Sequence, residues 1–434
     1  MQLEATRRGL PSLPLVTVPH PLGGIQPAAV VERARPLVDA VFEALTTASP
    51  GRAAKAAIGD GAPPAGEPAR LIELPAHPAL LHEAFAERRW SDGLPIVPPT
   101  PELVDAMLEW TDRDPLDVLG VLQPGHGVAT VQAVAINAVM AGCEPRALPV
   151  VLAAVEALLD PRHNVGGLNA TTHPVAEFVL VNGPIARELE IHGGAGALGA
   201  GFRPNATIGR AVRLVLLNIG GALPGAGDAA TQGTPAKFAY CAAENEAESP
   251  FPAYHVARGL DAGTSAVTVF GCEGPHNIRD GDSNTALGLL QTIAGTMSEA
   301  GSNNLLHRGD PLLALSPEHA ALLASEGWTR ASLQSWLFEH ARYPAGRLSP
   351  EMQRAVAVRE LEEGAAGAER ERAFVPGELL PIADSPETIH VAVIGGAGKH
   401  SAWMPSWGRT TRPVTVPLTD RAGRPIASVE ELRR

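Results

Sequence analysis

Apolar positions fall into short strand-like runs and longer helix-like runs that alternate along the chain. Apolar runs at residues 178–181, 267–270 and 389–394 predict buried strands, each followed by a turn that contains glycine. Alanine-rich runs at residues 130–142 and 145–159 are apolar almost all round, which predicts helices buried on every side. Strands that alternate with helices predict an α/β fold: a mixed sheet with Gly-rich loops at strand ends and buried Ala-rich helices.

Helix start signals add further elements. Thr100-Pro101-Glu102 and Ser316-Pro317-Glu318 each place a hydroxyl residue at the N-cap and proline at the first helical position. Other helices are predicted at residues 77–89, 206–219, 284–297, 332–341 and 351–363.

The N-terminal part has a pattern of its own. An extended run at residues 13–18, a turn at 19–24 and an amphipathic helix at 27–45 predict a small strand-turn-helix unit within residues 1–48. Residues 49–75 are rich in Ala, Gly and Pro and are interpreted as a linker. Residues 76–434 are expected to form the main α/β domain, of the catalytic type.

The run Leu-Val-Thr-Val-Pro-His-Pro-Leu-Gly-Gly at residues 15–24, with the helix after it, carries a resemblance. It resembles the last segment of the B-component selenoproteins of glycine and betaine reductases, and the end of the related bacterial family named for a selenocysteine-Gly-Ser-Cys motif. In those families the redox residue lies upstream of this segment, and the motif is missing here. The resemblance therefore implies common ancestry or a truncated fusion, and Pro19-His20-Pro21 is interpreted as a rigid strand exit.

Residues 77–408 resemble large, poorly characterised bacterial proteins that accompany the selenocysteine-Gly-Ser-Cys family or are fused to it. The matching stretches are residues 90–100, 135–143, 205–213, 271–277 and 395–401. This resemblance implies a (seleno)thiol reductase as a partner.

Charge and composition exclude several classes of function. A formal net charge of −13 without basic clusters argues against nucleic-acid binding. The apolar runs are too short to cross a bilayer, the N-terminus lacks the layout of a signal peptide, and three widely spaced cysteines make no disulfide framework. We expect a cytoplasmic protein without a membrane partner, and the buried alanine-rich helices favour a homo-oligomer.

Residues 169–245 hold an unusual density of Asn, Thr and His on glycine-rich turns. Buried polar side chains need hydrogen-bond partners, so this density predicts a polar site for a small-molecule substrate. The substrate-binding candidates in this stretch are Asn169, Thr171, Thr172, His173, Asn205, Arg210, Arg213, Glu244 and Asn245. The two arginines could fork onto a carboxylate substrate, or could form buried ion pairs with Glu244 or Asp228.

The loop at residues 271–277 brings a thiol, a carboxylate and an imidazole into one short segment. Glu273 and His276 are predicted to be the acid/base groups, and Asn277 lies beside them as a binding residue. Cys241 or Cys272 would be the thiol, and the alternative is that both are buried apolar fillers.

A second loop, at residues 395–401, exposes backbone N–H groups next to Lys399 and His400. It suits a phosphate or a carboxylate, and a plain strand-exit turn is the alternative. Its glycine spacing is not that of a P-loop, and no dinucleotide fingerprint occurs, so no nucleotide cofactor is predicted.

A divalent metal is the remaining cofactor candidate, with His173, His192, His276 and Glu244 as ligands, although no two of them have ligand spacing on one helix. The leading hypothesis is an enzyme, an oxidoreductase or a lyase, that cleaves a carbon–heteroatom bond of a small polar or anionic substrate with reductive or thiol assistance. The alternatives are a metal-dependent lyase or hydrolase, and a non-catalytic partner subunit of a (seleno)thiol reductase.

Overall fold

The computed structural model describes residues 16–18, 27–46, 66–363 and 377–434. The chain divides into two compact units, Met1–Pro64 and Ala65–Arg434, and each is described by itself. In the first unit, helix α1 (Pro27–Ala34), a 3-10 turn (Arg35–Leu37) and helix α2 (Val38–Thr46) follow one another, as the amphipathic pattern predicts. Residues 16–18 form no strand, and most of the predicted extended run, His20 and residues 49–65 of the linker lie outside the described residues.

The second unit contains the remaining elements. Its helices are α3 (Pro78–Glu87), α4 (Pro101–Leu108), α5 (Val131–Ala141), α6 (Leu148–Leu159), α7 (Val165–Ala170), α8 (Pro184–Glu188), α9 (Arg203–Asn218), α10 (Tyr254–Ala257), α11 (Ala286–Met297), α12 (Asn303–His307), α13 (Pro317–Ser325), α14 (Arg330–His340) and α15 (Pro350–Glu363). Its strands are β1 (Val118–Leu122), β2 (Gly127–Thr130), β3 (Ala176–Asn182), β4 (Cys241–Ala243), β5 (Ala266–Cys272), β6 (His276–Arg279), β7 (Leu312–Leu315), β8 (Arg342–Pro344), β9 (Leu379–Pro381), β10 (His390–Val393), β11 (His400–Met404) and β12 (Val414–Pro417).

Two four-stranded mixed sheets form the centre of this unit. In the first sheet the order is β12-β5-β3-β4, with only β3 and β4 parallel to each other. In the second the order is β10-β7-β11-β6, with only β10 and β7 parallel. Two-stranded antiparallel ladders, β1-β2 and β8-β9, lie outside them. The predicted mixed α/β fold is confirmed, with several small sheets in place of one.

Side-chain alternation along the strands builds four layers. Val179 and Val181 of β3 pack into a core with α5, α6 and α9, whereas Phe178 and Leu180 face the second sheet. The opposite face of the second sheet packs on α11, α13 and α14. The resulting order of layers is helices, sheet, sheet, helices.

The predicted elements agree with the observed ones within a few residues. The three apolar runs are β3, β5 and β10, and the two alanine-rich runs are α5 and α6, the latter preceded by a 3-10 turn. The capping prediction is confirmed at Ser316, whose Oγ accepts a hydrogen bond from the His319 N–H. Thr100 occupies the N-cap of α4, but its side chain makes no capping hydrogen bond.

Within the described residues, no helix is both long and apolar enough to cross a membrane.

Candidate functional site

Two carboxylate–imidazole pairs lie at the place where the chain passes from the first sheet to the second. Nε2 of His173 lies 2.7 Å from Oε1 of Glu273, and Nε2 of His276 lies 3.3 Å from Oε1 of Glu299. We call these four residues the acid–base cluster. The cluster contains both predicted acid/base groups, one predicted binding residue and one residue that the sequence pattern did not indicate.

The local fold explains why these side chains meet. Strand β5 ends at Cys272 and β6 begins at His276, so Glu273 stands in the short connection between the two sheets. His173 comes just before β3, which is antiparallel to β5 and begins where β5 ends. Glu299 follows the carboxyl end of α11, which packs on the second sheet. All four positions therefore lie at one edge of the double sheet.

Backbone and side-chain contacts hold the first pair in place. The Glu273 N–H donates to the Pro405 carbonyl at 2.8 Å, and the Tyr240 hydroxyl donates to the Glu273 carbonyl at 3.0 Å. Thr171 Oγ1 accepts hydrogen bonds from the His173 N–H and from Nε1 of Trp407. Thr171, one of the predicted substrate-binding residues, therefore holds the loop that carries His173.

Exposure decreases from the second pair to the first. The side chains of His276 and Glu299 are 53% and 37% exposed, while those of Glu273 and His173 are 29% and 9% exposed. The Nδ1 atom of His173 is buried and meets no hydrogen-bond partner among the described residues. The imidazole of His173 therefore has Nε2 on Glu273 and one nitrogen without a protein partner in the described part of the chain, as a base held in place by a carboxylate has.

The surroundings of Glu299 shift the pKa of its carboxyl group upward. Burial raises the pKa of Glu299, the His276 imidazolium partly opposes this by lowering it, and the charge of Glu273 raises it again. A carboxyl group with a raised pKa beside a second carboxylate is an arrangement that separates a proton donor from a proton acceptor.

Glu299 and Tyr240 were missed because neither stands in a motif. Glu299 lies just past a predicted helix end, and Tyr240 precedes a strand of only three residues.

The glycine-rich turns around Asn205 form a different, closed region. Asn205 Oδ1 accepts from the His192 N–H, and its Nδ2 donates to the carbonyls of His192 and Ala197. The ring of His192 stacks on Phe202 and its Nε2 contacts the Ala195 carbonyl. The polar atoms of Asn205 and His192 therefore fix the loop at residues 192–197, and the predicted roles of the two residues in substrate and metal binding stay predictions.

Glu244 and Asn245 join the two sheets at the end of β3 that lies away from the acid–base cluster. The Glu244 carboxylate is fully buried and accepts hydrogen bonds from Nδ2 of Asn182 and from the N–H groups of Tyr254 and Val393. Burial raises its pKa. Asn245 donates to the carbonyls of Val393 and Gly395 through its backbone and side chain. Both residues therefore have a structural role, and their predicted binding roles stay predictions.

Both arginines of α9 form ion pairs: Arg213 pairs with Asp228, as one of the alternatives predicted, whereas Arg210 pairs with Asp92, which was not predicted. Arg210 binds both carboxylate oxygens of Asp92, at 2.7 and 2.8 Å, and also the carbonyls of Leu94 and Pro95. Arg213 binds Asp228 at 3.1 Å, and Lys237 contacts the same carboxylate. Both guanidinium groups have protein carboxylates as partners, and the predicted fork onto a substrate stays a prediction.

All three cysteines are buried with free thiols. Burial raises the pKa of Cys241 and of Cys272, and it raises the pKa of Cys143 to about 12. A thiol needs thiolate character to act as a nucleophile or redox group. The geometry therefore agrees with the interpretation of Cys241 and Cys272 as core residues and disfavours a catalytic thiol.

The remaining predicted residues are scattered over the unit. His400 contacts Oδ1 of Asn277 across β11 and β6 at 2.8 Å on the surface, and Lys399 donates to the Gly281 carbonyl. Asn169 Nδ2 bonds the Val165 carbonyl within α7, and Thr172 accepts the Thr231 N–H through its own carbonyl. The contacts of Lys399 and His400 match a strand-exit turn at residues 395–401 better than an anion site.

The four metal candidates do not converge. His173 and His276 belong to the acid–base cluster, whereas His192 and Glu244 are engaged elsewhere. In the part of the chain that the structure describes, no three or more His, Cys, Asp or Glu side chains are grouped so as to hold a metal ion.

No protein-family model, curated protein or solved structure matches this chain. Its function must therefore be inferred from the geometry of the acid–base cluster.

Proposed function

We propose that this chain is a cytoplasmic enzyme that cleaves a carbon–heteroatom bond of a small polar or anionic organic substrate by acid–base catalysis. The observation that carries the proposal is the 2.7 Å contact between His173 and Glu273, next to the His276–Glu299 pair. Two linked carboxylate–imidazole pairs at a solvent-reachable edge are the groups that such a reaction needs.

Three residues of the acid–base cluster have roles in this reaction. His173, oriented by Glu273, removes the proton on the carbon next to a carbonyl or carboxylate group. The electron pair of that C–H bond forms a carbon–carbon double bond as the bond to the heteroatom breaks. Glu299 gives its proton to the departing heteroatom, so that the charge stays balanced. This scheme is a lyase reaction and uses no thiol.

Two features favour the lyase scheme over thiol-assisted reduction. The thiols of Cys241 and Cys272 are buried and their pKa values are raised, whereas the acid–base cluster is partly open to solvent. The (seleno)thiol reductase partner implied by the resemblance is not needed for the chemistry, and a homo-oligomer is compatible with it.

The test measures proton abstraction directly. We expect the purified full chain in D2O to exchange the α proton of at least one member of a panel of small carboxylates that carry a β-hydroxyl, β-amino or β-phosphate group. Loss of the α-proton signal in the NMR spectrum reports the exchange. The variants His173→Gln and Glu273→Gln should lower the exchange rate at least 100-fold, which is the usual contribution of a positioned base.

Controls separate catalysis from folding. His77→Gln and Glu83→Gln alter exposed side chains outside the acid–base cluster and should leave the exchange rate unchanged. Glu299→Gln should retain α-proton exchange while slowing release of the heteroatom group. The proposal fails if no panel member exchanges, or if exchange is the same in His173→Gln as in the unmodified chain.

A further inference from the structure

A groove outside the acid–base cluster lies between α11 and the segment that runs from α14 through β8 to the 3-10 turn Ala345–Arg347. Its volume is about 490 Å³. One wall is a stripe of α11 that includes Ala294 and Gly295, continued by Ser298 just past the helix end. The other wall carries aromatic rings and arginines. Grooves of this volume suit small organic ligands.

The charge of the groove is positive. Arg342, Arg347 and His340 line it, and no acidic side chain of the described residues does. The guanidinium of Arg347 makes no hydrogen bond or ion pair within the described residues, and Arg342 uses its Nε to bond the Glu339 carbonyl. In a chain whose net charge is −13, two arginines with no acidic partner in one groove indicate an anionic ligand.

The ring-bearing wall is flat and stiff. The imidazole of His340 stacks on Trp336 with 4.0 Å between ring centroids and 6° between planes, and its Nδ1 contacts the Trp336 carbonyl at 2.8 Å. Trp328 packs edge-on against Trp336, with 6.4 Å between ring centroids. Rings fixed in this way offer a face for another planar group at little entropic cost.

We propose that this groove binds a small organic anion in which a carboxylate or phosphate group is attached to a planar ring. The ring packs against Trp336 and Tyr343, above the small residues of α11. The anionic group pairs with Arg342 and Arg347, whose planar forks match carboxylate and phosphate oxygens. This site is separate from the acid–base cluster, so its failure would leave the proposed function standing.

The experiment titrates the full chain with phenyl phosphate and with benzoate, using benzyl alcohol as the uncharged control, and measures heat by isothermal titration calorimetry. Phenyl phosphate tests a phosphate as the anionic group, and benzoate tests a carboxylate. We expect at least one of them to bind with a Kd below the millimolar range, and benzyl alcohol to bind at least ten-fold more weakly.

Substitutions locate the binding. Arg342→Gln and Arg347→Gln should each weaken binding of the aromatic anion about ten-fold. Arg354→Gln should leave binding of the aromatic anion unchanged, because Arg354 lies on α15 with its side chain 70% exposed and does not line the groove. Gly295→Leu should abolish binding without unfolding the chain, because a Cβ at Gly295 meets nothing within 4 Å and leucine favours a helix more than glycine does.

Gly263→Leu is the matched control, since a Cβ there also has open space and the residue does not line the groove. It should bind as the unmodified chain does. The proposal is overturned if neither aromatic anion binds, if benzyl alcohol binds equally well, or if Gly295→Leu and the arginine variants bind like the unmodified chain.

Discussion

At the scale of single residues, Arg210 and Asp92 show how a guanidinium group joins two parts of the chain. Arg210 is 14% exposed, binds both oxygens of Asp92 and also reaches two carbonyls. Lysine has no planar fork and cannot reproduce these contacts. We expect Arg210→Lys to lower the free energy of unfolding by about 2 kcal/mol, measured by urea denaturation.

The control for Arg210 is Arg354→Lys, in an exposed pair with Glu351. It should cost less than about 0.5 kcal/mol. A substrate-binding role for Arg210 would instead appear as lost ligand affinity at unchanged stability, and that result would contradict the structural role.

The pKa of Glu299 provides a second prediction at this scale, because its two charged neighbours act in opposite directions. Glu273→Gln removes a negative charge and should lower the pKa of Glu299. His276→Gln removes the positive charge of the imidazolium and should raise it. The measurement is the ¹³C NMR shift of the Glu299 carboxyl carbon as a function of pH.

The remote variant Glu83→Gln should leave the Glu299 titration unchanged. Shifts of the same sign in Glu273→Gln and His276→Gln would mean that the two pairs do not act on Glu299 in opposite directions. In the proposed reaction Glu299 must carry a proton, so cleavage should decline as the pH rises through the pKa of Glu299.

Residue type alone indicated where polar chemistry is concentrated, but not which polar atoms are free. Glu273 and His276 were predicted from their loop, and they do lie in one cluster. Asn205 and Glu244 have the same polar character in sequence, yet the atoms of Asn205 bond backbone groups and those of Glu244 bond backbone N–H groups and the Asn182 side chain. The direction of a side chain on a turn depends on long-range packing, which local sequence does not specify.

At the scale of elements, two similar start signals behave differently. Ser316-Pro317-Glu318 and Thr100-Pro101-Glu102 both open helices, but only Ser316 caps its helix with a side-chain hydrogen bond. Ser316→Ala should therefore cost about 1 kcal/mol of stability, and Thr100→Ala less than about 0.5 kcal/mol. Thermal denaturation of the two variants side by side checks this, and equal losses would contradict it.

Helices and strands were predictable because their apolar period is local. The alanine-rich runs of α5 and α6 and the apolar runs of β3, β5 and β10 were all identified. The short strands β4, β6, β7 and β11 were missed, since three to five residues carry too little periodic signal. Those strands complete both sheets, so the edge that forms the acid–base cluster could not be located beforehand.

At the scale of the whole molecule, the double sheet was beyond prediction. Strand β5 pairs with β3 and β12, which are far apart in sequence, and β7 pairs with β10 and β11. Such pairings are decided by packing between layers rather than by neighbours along the chain. The alternation of strands and helices along the sequence predicts the mixed α/β class. It does not predict that the strands form two sheets that face each other.

The same layered packing makes stability depend on pH through buried neutral histidines. Burial lowers the pKa of His163 to about 4, a change that a backbone group of Arg412 and the charge of Asp160 only partly offset. Burial also lowers the pKa of His255, His319 and His390. Burial acts in the opposite sense on the carboxyl groups of Glu177 and Glu244, whose raised pKa values favour the folded state on acidification.

A variant isolates the contribution of His163 from these opposing groups. The unfolded chain binds a proton at His163 near pH 6.5, whereas the folded chain binds it only near pH 4. The contribution of neutral His163 to the free energy of unfolding is therefore fully present above pH 6.5. It is lost as the pH falls from 6.5 to 4 and amounts to about 3 kcal/mol. His163→Leu removes this titration. Between pH 7 and pH 4, the free energy of unfolding measured by urea denaturation should therefore decrease by about 3 kcal/mol less in the variant than in the unmodified chain. The exposed control His77→Leu should keep the original pH dependence, and parallel curves for His163→Leu and the unmodified chain would show that His163 does not titrate in this way.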